Sequence, residues 1–209
     1  MNKLYRFLQI FLRPFYRIFF GMRVIGRENE LASGPCIICA NHISMHDIIL
    51  IALNLKRQIF FFAKKELFKN PLFAKILRSF GTISVSRGTA DIHAITQTID
   101  VLKAGGYIGL FPQGTRMPGR VPTPADAKSG VGLMAYRAKS SVLPVYIQTK
   151  NNRIRLFRRV TVIIGKPIRY EELGFSRGTI AEYNAASKLI FERICELGAK
   201  KETEDAQNH

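Results

Sequence analysis

The 209-residue sequence is poor in acidic residues, in cysteine and in uninterrupted apolar stretches, and it has no tryptophan. Its 15 Asp and Glu residues stand against 32 Lys and Arg residues, which gives a formal net charge of +17. A surplus of this size attracts polyanions: nucleic acids, anionic lipid headgroups or phosphorylated substrates. The charge by itself does not choose among these partners.

The cysteines are too few and oddly numbered for a disulfide framework, which favours a cytosolic environment. Cys36 and Cys39 form a C-x-x-C pattern, but they lie in an apolar, strand-like run. No second cysteine pair is present to complete a zinc site. No helix start follows Cys36 directly, as the redox form of this motif requires. We therefore expect both cysteines to be small, buried strand residues.

A membrane-spanning helix needs roughly 20 mostly apolar residues. The most apolar stretch, residues 4–20, is instead interrupted by three arginines and by Pro14, which is expected to kink a helix there. It also lacks the cleavage pattern of a signal peptide. We expect residues 1–25 to form an amphipathic membrane-interface segment, with aromatic side chains at the headgroup boundary and arginines reaching phosphates. The alternative is a basic first helix that packs on the domain.

Short β-rich runs alternate with helical stretches, which is typical of an α/β fold. We expect a single domain over residues 26–199, with a mixed, mostly parallel central sheet flanked by helices, and a polar, frayed tail over residues 200–209. The predicted strands are residues 36–40, 59–63, 83–86, 107–111, 142–148 and 160–164, and the predicted helices are residues 90–103, 131–138 and 180–197.

The first candidate site is the run A-N-H-I-S-M-H-D, residues 40–47, which follows a predicted strand. Strand ends are where α/β folds place reactive groups. His42 and Asp47 can form a base and its orienting carboxylate if the residues between them turn tightly, because the carboxylate fixes the imidazole tautomer. The isolated pattern also fits a structural histidine, so both interpretations stay open.

The second candidate site is the run L-F-P-Q-G-T-R, residues 110–116. Gly114 lets the backbone approach a ligand closely, Thr115 offers a hydroxyl, and Arg116 presents a fork of donors suited to phosphate. This loop is therefore a candidate anion site. The alternative is a plain turn with a solvated arginine.

In this order the two runs resemble paired motifs of the glycerolipid acyltransferases, whose lysophosphatidic acid acyltransferases carry N-H-x-S-x-x-D and F-P-E-G-T-R. Residues 63–87 resemble the family's substrate-phosphate block. The run V-L-P-V, residues 142–145, resembles its fourth motif, and K-S-G, residues 128–130, stands where the family carries K-x-G. The resemblance covers roughly residues 35–148. The sequence departs from it at Gln113, where the family has glutamate. An amide can donate and accept hydrogen bonds but cannot act as a base, so we leave Gln113 out of the catalytic set.

The resemblance implies transfer of a fatty acyl group from acyl-CoA or acyl-carrier protein to the sn-2 hydroxyl of 1-acylglycerol-3-phosphate (lysophosphatidic acid), giving phosphatidic acid in phospholipid biosynthesis. It implies that His42 is the general base and Asp47 its orienter. The substrate-binding residues that it implies are Lys64, Arg87, Gly114, Thr115 and Arg116.

We expect no metal, no cofactor and no nucleic-acid partner. With the basic, aromatic N-terminal segment, the resemblance implies peripheral or monotopic association with an anionic membrane surface, on the cytoplasmic face of the cell membrane. His46 is not part of the family pattern, and we expect it to serve local packing or hydrogen bonding. Four alternatives stay open: another lysophospholipid acceptor, glycerol-3-phosphate as acceptor, an interfacial hydrolase, or a non-catalytic basic lipid-binding protein.

Overall fold

The computed structural model describes residues 2–85 and 91–207. Its strands are β1 (Arg23–Ile25), β2 (Cys36–Ala40), β3 (Ile59–Phe60), β4 (Phe62–Lys64), β5 (Ile83–Val85), β6 (Tyr107–Leu110), β7 (Ser141–Thr149) and β8 (Val160–Ile164). Its α-helices are α1 (Lys3–Phe19), α2 (His46–Asn54), α3 (Pro71–Ser79), α4 (Ile92–Lys103), α5 (Gly130–Ala138) and α6 (Ile180–Gln207). Short 3-10 helices lie at Arg27–Asn29, Lys65–Phe68, Pro124–Asp126, Lys150–Asn152 and Tyr170–Leu173.

Six strands form the central sheet, in the order β1-β8-β7-β2-β6-β3. Neighbouring strands are parallel, except that β7 and β8 run antiparallel. The predicted fold class, an α/β domain with a mixed, mostly parallel sheet flanked by helices, is thereby confirmed. Strand β2 lies inside the sheet with all five residues buried, as expected where helices cover both faces.

The two faces of β2 belong to two apolar cores. Cys36, Ile38 and Ala40 pack with residues of α1 and α2 on one side. Ile37 and Cys39 pack with residues of α4, α5 and α6 on the other. Both cysteines are fully buried, as predicted. Burial raises the pKa of the Cys36 thiol to about 12, so this thiol stays protonated and unreactive near neutral pH.

The register of the sheet brings the two candidate sites together. Cys39 of β2 pairs with Leu110 of β6 in a parallel ladder. The chain segments that follow these strands therefore leave the same edge of the sheet side by side. This edge, at the carboxyl ends of parallel strands, is where α/β folds bind ligands.

The strand predicted over residues 59–63 is two strands in different sheets. Strand β3 joins the central sheet beside β6, whereas β4 pairs in parallel with β5 in a separate two-stranded sheet. Between them Phe61 is buried, with its ring over Gly109 of β6, where a Cβ would overlap it. No pattern near residue 61 indicates this change, because the space for the Phe61 ring depends on a glycine about fifty residues away along the chain.

Helix α6 extends beyond its predicted end, and α1 contains the proline that was expected to kink it. Helix α1 continues through Pro14, which lies on its exposed face, because Tyr5, Gln9 and Tyr16 are buried against the domain on both sides of it. Helix α6 continues to Gln207 instead of ending near residue 197, so the tail predicted to fray is helical up to that residue. Alanine, lysine and glutamate propagate an existing helix readily. Among the described residues, no helix is both long enough and apolar enough to cross a bilayer.

Candidate active site

The His42 and Asp47 side chains are in direct contact: His42 Nδ1 lies 2.7 Å from Asp47 Oδ2. His42 follows β2, and Asp47 lies in the first turn of α2. The chain turns tightly between them, because Asp47 Oδ2 also accepts the backbone N–H groups of Ile43 (2.7 Å) and Ser44 (2.8 Å). One carboxylate oxygen thus holds both the turn and the imidazole. The turn that the sequence reasoning required is present.

Asp47 is fully buried, whereas the His42 side chain keeps 14% of its surface exposed. A buried carboxylate needs compensation, which comes from the three contacts at Oδ2 and from the N-terminal end of α2. Among the described residues, Oδ1 has no hydrogen-bond partner. Because Asp47 is hydrogen-bonded to Nδ1 of the imidazole, Nε2 is the nitrogen that remains to exchange a proton with a ligand.

Phe111 restrains the tilt of the His42 ring by stacking on one of its faces. The two rings are stacked, with centroids 3.9 Å apart and an angle of 13° between their planes. Phe61 in turn stacks on Phe111 at 6.4 Å. The imidazole is therefore held at one edge by a carboxylate and across one face by an aromatic ring. The sequence reasoning gave Phe111 no role; its place in the second run was the available signal.

Gln113 joins the two runs. Its side chain is 2% exposed, and its Oε1 accepts the backbone N–H of His42 at 2.7 Å. Met117, four residues later, donates its own N–H to the carbonyl oxygen of His42 at 2.7 Å. The amide that replaces the family's glutamate thus holds the backbone of His42 against the second loop.

Asn41 anchors the same loop to β7. Its buried side chain accepts from the N–H of Ile147 at 2.7 Å and donates to the carbonyl oxygen of Ile147 at 3.1 Å. The side chain therefore continues the pairing of β2 with β7 for one residue beyond Ala40. Sequence reasoning missed this position; the only available signal was its place beside His42 in the first run.

His46 faces helix α1. Its Nδ1 lies 2.8 Å from the hydroxyl of Tyr16, and its ring lies 5.0 Å from that of Phe20. Burial raises the pKa of Tyr16 to about 12, so the phenol stays protonated at neutral pH and can donate a hydrogen bond to His46. His46 thus makes the packing and hydrogen-bond contacts that were predicted for it. The contact fastens α1 to the residue directly before Asp47.

A cavity of about 530 Å³ opens next to the turn between His42 and Asp47; Ser44, His46, Thr115 and Arg116 are among its lining residues, and His42 is not. Gly114, in the left-handed region with φ of 69°, leaves room for the side chain of a lysine. A Cβ there would lie 3.1 Å from Lys128 Nζ. Two cations, Arg116 and Lys128, therefore flank the loop. Lys128 belongs to the K-S-G run, but the sequence reasoning gave it no role.

The structure does not gather all the predicted substrate residues. Lys64 is exposed at the end of β4 in the second sheet and is not among the residues that line the cavity. Arg87 lies outside the described residues. Within residues 2–85 and 91–207, no group of three or more His, Cys, Asp or Glu side chains is arranged to hold a metal ion.

These features define an α/β enzyme with a histidine–carboxylate pair beside a basic loop, at the carboxyl edge of a mostly parallel sheet. A family model described as Acyltransferase matches residues 21–148. The chain belongs to this acyltransferase family.

Individual relatives extend this similarity beyond the matched region. The chain is 29% identical to a 1-acyl-sn-glycerol-3-phosphate acyltransferase of Bacillus subtilis, over 94% of this chain and 98% of the relative. It is 32% identical to a protein of the same name from Borreliella burgdorferi, over 63% of this chain and 54% of that relative.

A solved structure is similar as well. The crystal structure of the 1-acyl-sn-glycerophosphate (LPA) acyltransferase PlsC from Thermotoga maritima superposes with a TM-score of 0.72 at 28% identity. It covers 92% of this chain, and this chain covers 78% of it. The similarity therefore extends through the helices and strands outside the family-model match.

Proposed function

We propose that this acyltransferase moves a fatty acyl group from an acyl thioester, carried by CoA or acyl-carrier protein, to the sn-2 hydroxyl of 1-acylglycerol-3-phosphate. The product is phosphatidic acid, an intermediate of phospholipid biosynthesis. The observation that carries the proposal is the 2.7 Å contact between His42 and Asp47 beside a cavity lined by Thr115 and Arg116. The names of the relatives support the choice of acceptor.

His42 acts as the general base in this proposal. An alcohol is a poor nucleophile at neutral pH, so His42 Nε2 accepts the hydroxyl proton while the oxygen attacks the thioester carbonyl. Asp47 stabilises the imidazolium and keeps the ring in position. The tetrahedral intermediate then expels the thiolate, which takes the proton from His42 and leaves as a thiol. Direct attack of this kind forms no acyl-enzyme.

Arg116 and Thr115 bind the acceptor's phosphate in the proposed complex. The guanidinium of Arg116 offers two parallel donors to phosphate oxygens, and Gly114 and Lys128 shape the same loop. Lys64 and Arg87 remain proposed substrate-binding residues for the same phosphate. Fixing the phosphate orients the sn-2 hydroxyl towards His42 and turns a two-molecule encounter into a positioned one.

Helix α1 supplies the proposed attachment to the membrane, because polar side chains on its inner side bond to the domain while several large apolar side chains face outwards. Gln9 Nε2 donates to the carbonyl oxygens of Ala52 (2.6 Å) and Leu55 (2.9 Å), and Arg13 Nε donates to that of Leu53 at 3.0 Å. These polar side chains satisfy carbonyls at the C-terminal end of α2. The large apolar side chains that face outwards are Leu4, Phe7, Ile10, Phe11, Phe15 and Ile18, and the exposed cations of the same helix are Lys3, Arg6 and Arg17.

An exposed apolar helix face of this kind favours a lipid leaflet over water. The helix packs on the domain through Tyr5, Gln9 and Tyr16, and this packing leaves its exposed apolar side chains free for the proposed membrane contact. We propose peripheral or monotopic binding to an anionic membrane surface, on the cytoplasmic face of the cell membrane. The acceptor lipid then reaches the cavity without full extraction into water.

The proposed reaction is tested by following transfer from a labelled acyl thioester to lysophosphatidate in detergent micelles. We expect phosphatidate from the wild type and a loss of about 10²–10⁴-fold with His42→Ala. His93→Ala removes an exposed histidine of α4 and is the matched control, with activity retained. If lysophosphatidate is inert while another lysolipid is acylated, the acceptor assignment is wrong; if no thioester is consumed, the proposed reaction is wrong.

A further inference from the structure

The loop between β7 and β8, residues 150–159, carries an exposed apolar tip. Leu156 is 56% exposed and Phe157 is 77% exposed, and no large apolar side chain among the described residues is more exposed than Phe157. Ile154 of the same loop packs against the core and fixes its base. The tip therefore projects from a well-anchored loop.

Phe157 also has an unfavourable backbone conformation. Its φ of 59° lies in the left-handed region, which residues with large side chains rarely adopt. Glycine would adopt this conformation without strain. A phenylalanine that is both strained and solvent-exposed does little for the isolated fold, which points to a contact outside the protein.

The tip is continuous with the outward face of α1. The N–H of Phe157 donates to the carbonyl oxygen of Phe19 at 2.6 Å, and the N–H of Val160 donates to that of Phe20 at 3.0 Å. The ring of Phe157 lies 5.8 Å from that of Phe19, which in turn lies 4.3 Å from that of Phe15. The loop and the helix thus present one apolar surface.

Four exposed arginines flank the tip: Arg153, Arg155, Arg158 and Arg159. Among residues 2–85 and 91–207, none of them forms an ion pair with an acidic side chain. An apolar tip between unneutralised cations matches a surface whose interior is apolar and whose rim is anionic. A bilayer that contains anionic lipids has this arrangement.

We infer that the β7–β8 loop is a second membrane contact, in which Leu156 and Phe157 enter the headgroup boundary of an anionic leaflet and the four arginines bind lipid phosphates. The inference deepens the proposed membrane association by α1 and rests on it. The sequence reasoning assigned no function to this loop.

The loop also connects to the active site through the backbone. The N–H of Gly119 donates to the carbonyl oxygen of Asn152 at 2.8 Å, and Met117 bonds to the carbonyl oxygen of His42. The guanidinium of Arg153 lies so close to Gly119 that a Cβ there would be 2.8 Å from Arg153 Nε. A loop held at the leaflet therefore holds the segment after Arg116 at a fixed place relative to the lipid.

A tryptophan reporter tests the contact directly, since the chain has no tryptophan of its own. Phe157→Trp should show a blue shift in emission and quenching by brominated lipid when vesicles of phosphatidylglycerol and phosphatidylcholine are added. Ile180→Trp, at an equally exposed position at the start of α6, should show neither effect. Phe7→Trp reports on α1 independently.

The reporters separate the two proposals. A shift for Phe7→Trp without one for Phe157→Trp overturns the loop contact and leaves docking by α1 standing. No shift for either variant overturns the proposed membrane association together with the loop contact. A shift for Phe157→Trp that also occurs with Ile180→Trp shows non-specific adsorption and overturns the inference.

Binding measurements by vesicle sedimentation give the size of the effect. The double variant Leu156→Ser/Phe157→Gly should bind about tenfold more weakly, and Ile180→Ser should bind like the wild type. Arg155→Gln/Arg158→Gln should lose about fivefold per charge at low salt, and less at high salt. If Phe157→Gly lowers the melting temperature and leaves vesicle binding unchanged, or dissociates a dimer instead, the tip serves the fold or a second copy and the inference is wrong.

Discussion

The side-chain oxygen of Gln113 accepts the backbone N–H of His42, 71 positions earlier in the chain, at 2.7 Å. The residue that departs from the family motif is buried and thus supports the proposed base through the backbone of His42. A glutamate could accept the same hydrogen bond, but it would add a negative charge at the backbone of the proposed base. The amide keeps the hydrogen bond and omits the charge.

This difference predicts a change in pH dependence. Gln113→Glu should move the acidic limb of the kcat/KM profile to higher pH by about one unit, because a nearby carboxylate stabilises the imidazolium. Gln113→Met keeps the size of the side chain but leaves the N–H of His42 without its acceptor. It should lower the free energy of unfolding by about 1–3 kcal/mol without moving the profile. An unchanged profile for Gln113→Glu would contradict the proximity argument.

Asp47 has a structural and a proposed catalytic task, and two substitutions separate them. Asp47→Asn keeps a carbonyl acceptor for the N–H groups of Ile43 and Ser44 but loses the charge opposite His42. We expect a folded protein with a kcat lower by about 10⁴-fold. Asp47→Ala removes all three contacts and should also lower the free energy of unfolding, by about 3 kcal/mol. Full activity of the folded Asn variant would remove Asp47 from the mechanism.

Arg116 is proposed to bind the phosphate of the acceptor. Arg116→Ala should raise KM for lysophosphatidate by about tenfold or more, the value of a charge-assisted hydrogen bond, and should change KM for the acyl donor little. Arg193→Ala, which removes an exposed arginine of α6, is the matched control. Equal increases in both KM values would refute a phosphate-specific role.

Alkaline pH should destabilise the fold through buried phenols. Burial raises the pKa of Tyr5, Tyr16 and Tyr107 to about 12, from an ordinary value of 10.0. The unfolded chain then loses these protons before the folded one does, so stability is fully present below pH 10 and falls as pH rises from 10 to 12. Urea unfolding across this range measures the slope. Tyr16→Phe should make it shallower; an unchanged slope would mean that Tyr16 does not contribute.

Gly109 is predicted to be required for the close packing of Phe61. Gly109→Ala places a methyl group on the ring of Phe61 and should lower the free energy of unfolding by about 1–3 kcal/mol. Gly130→Ala, at the start of α5, meets open space and should be neutral or slightly stabilising. Denaturant titration compares the two. Equal stability of both variants would show that the Phe61 ring moves aside at little cost.

Part of the fold and of the candidate site could be predicted from residues that are neighbours along the chain. Residues 36–40 and 160–164 are apolar, β-branched runs that form strands with the predicted bounds, and the two ordered motifs indicated both the family and the position of His42 and Asp47. Such signals survive in sequence because they depend on residues close together along the chain. The change at residue 61 and the extension of α6 left weaker signals or none.

The kind of chemistry that we propose can be read from the sequence: the base, its carboxylate, a basic loop, and a basic chain with an apolar N-terminal segment. How these parts are held together depends on the tertiary structure. Gln113 and Asn41 find partners 71 and 106 positions away, and the outward direction of Phe7 and Phe157 follows from what their backbones pack against. Contacts across such separations are set by the register of the sheet and the packing of helices on it. No local pattern encodes either of these.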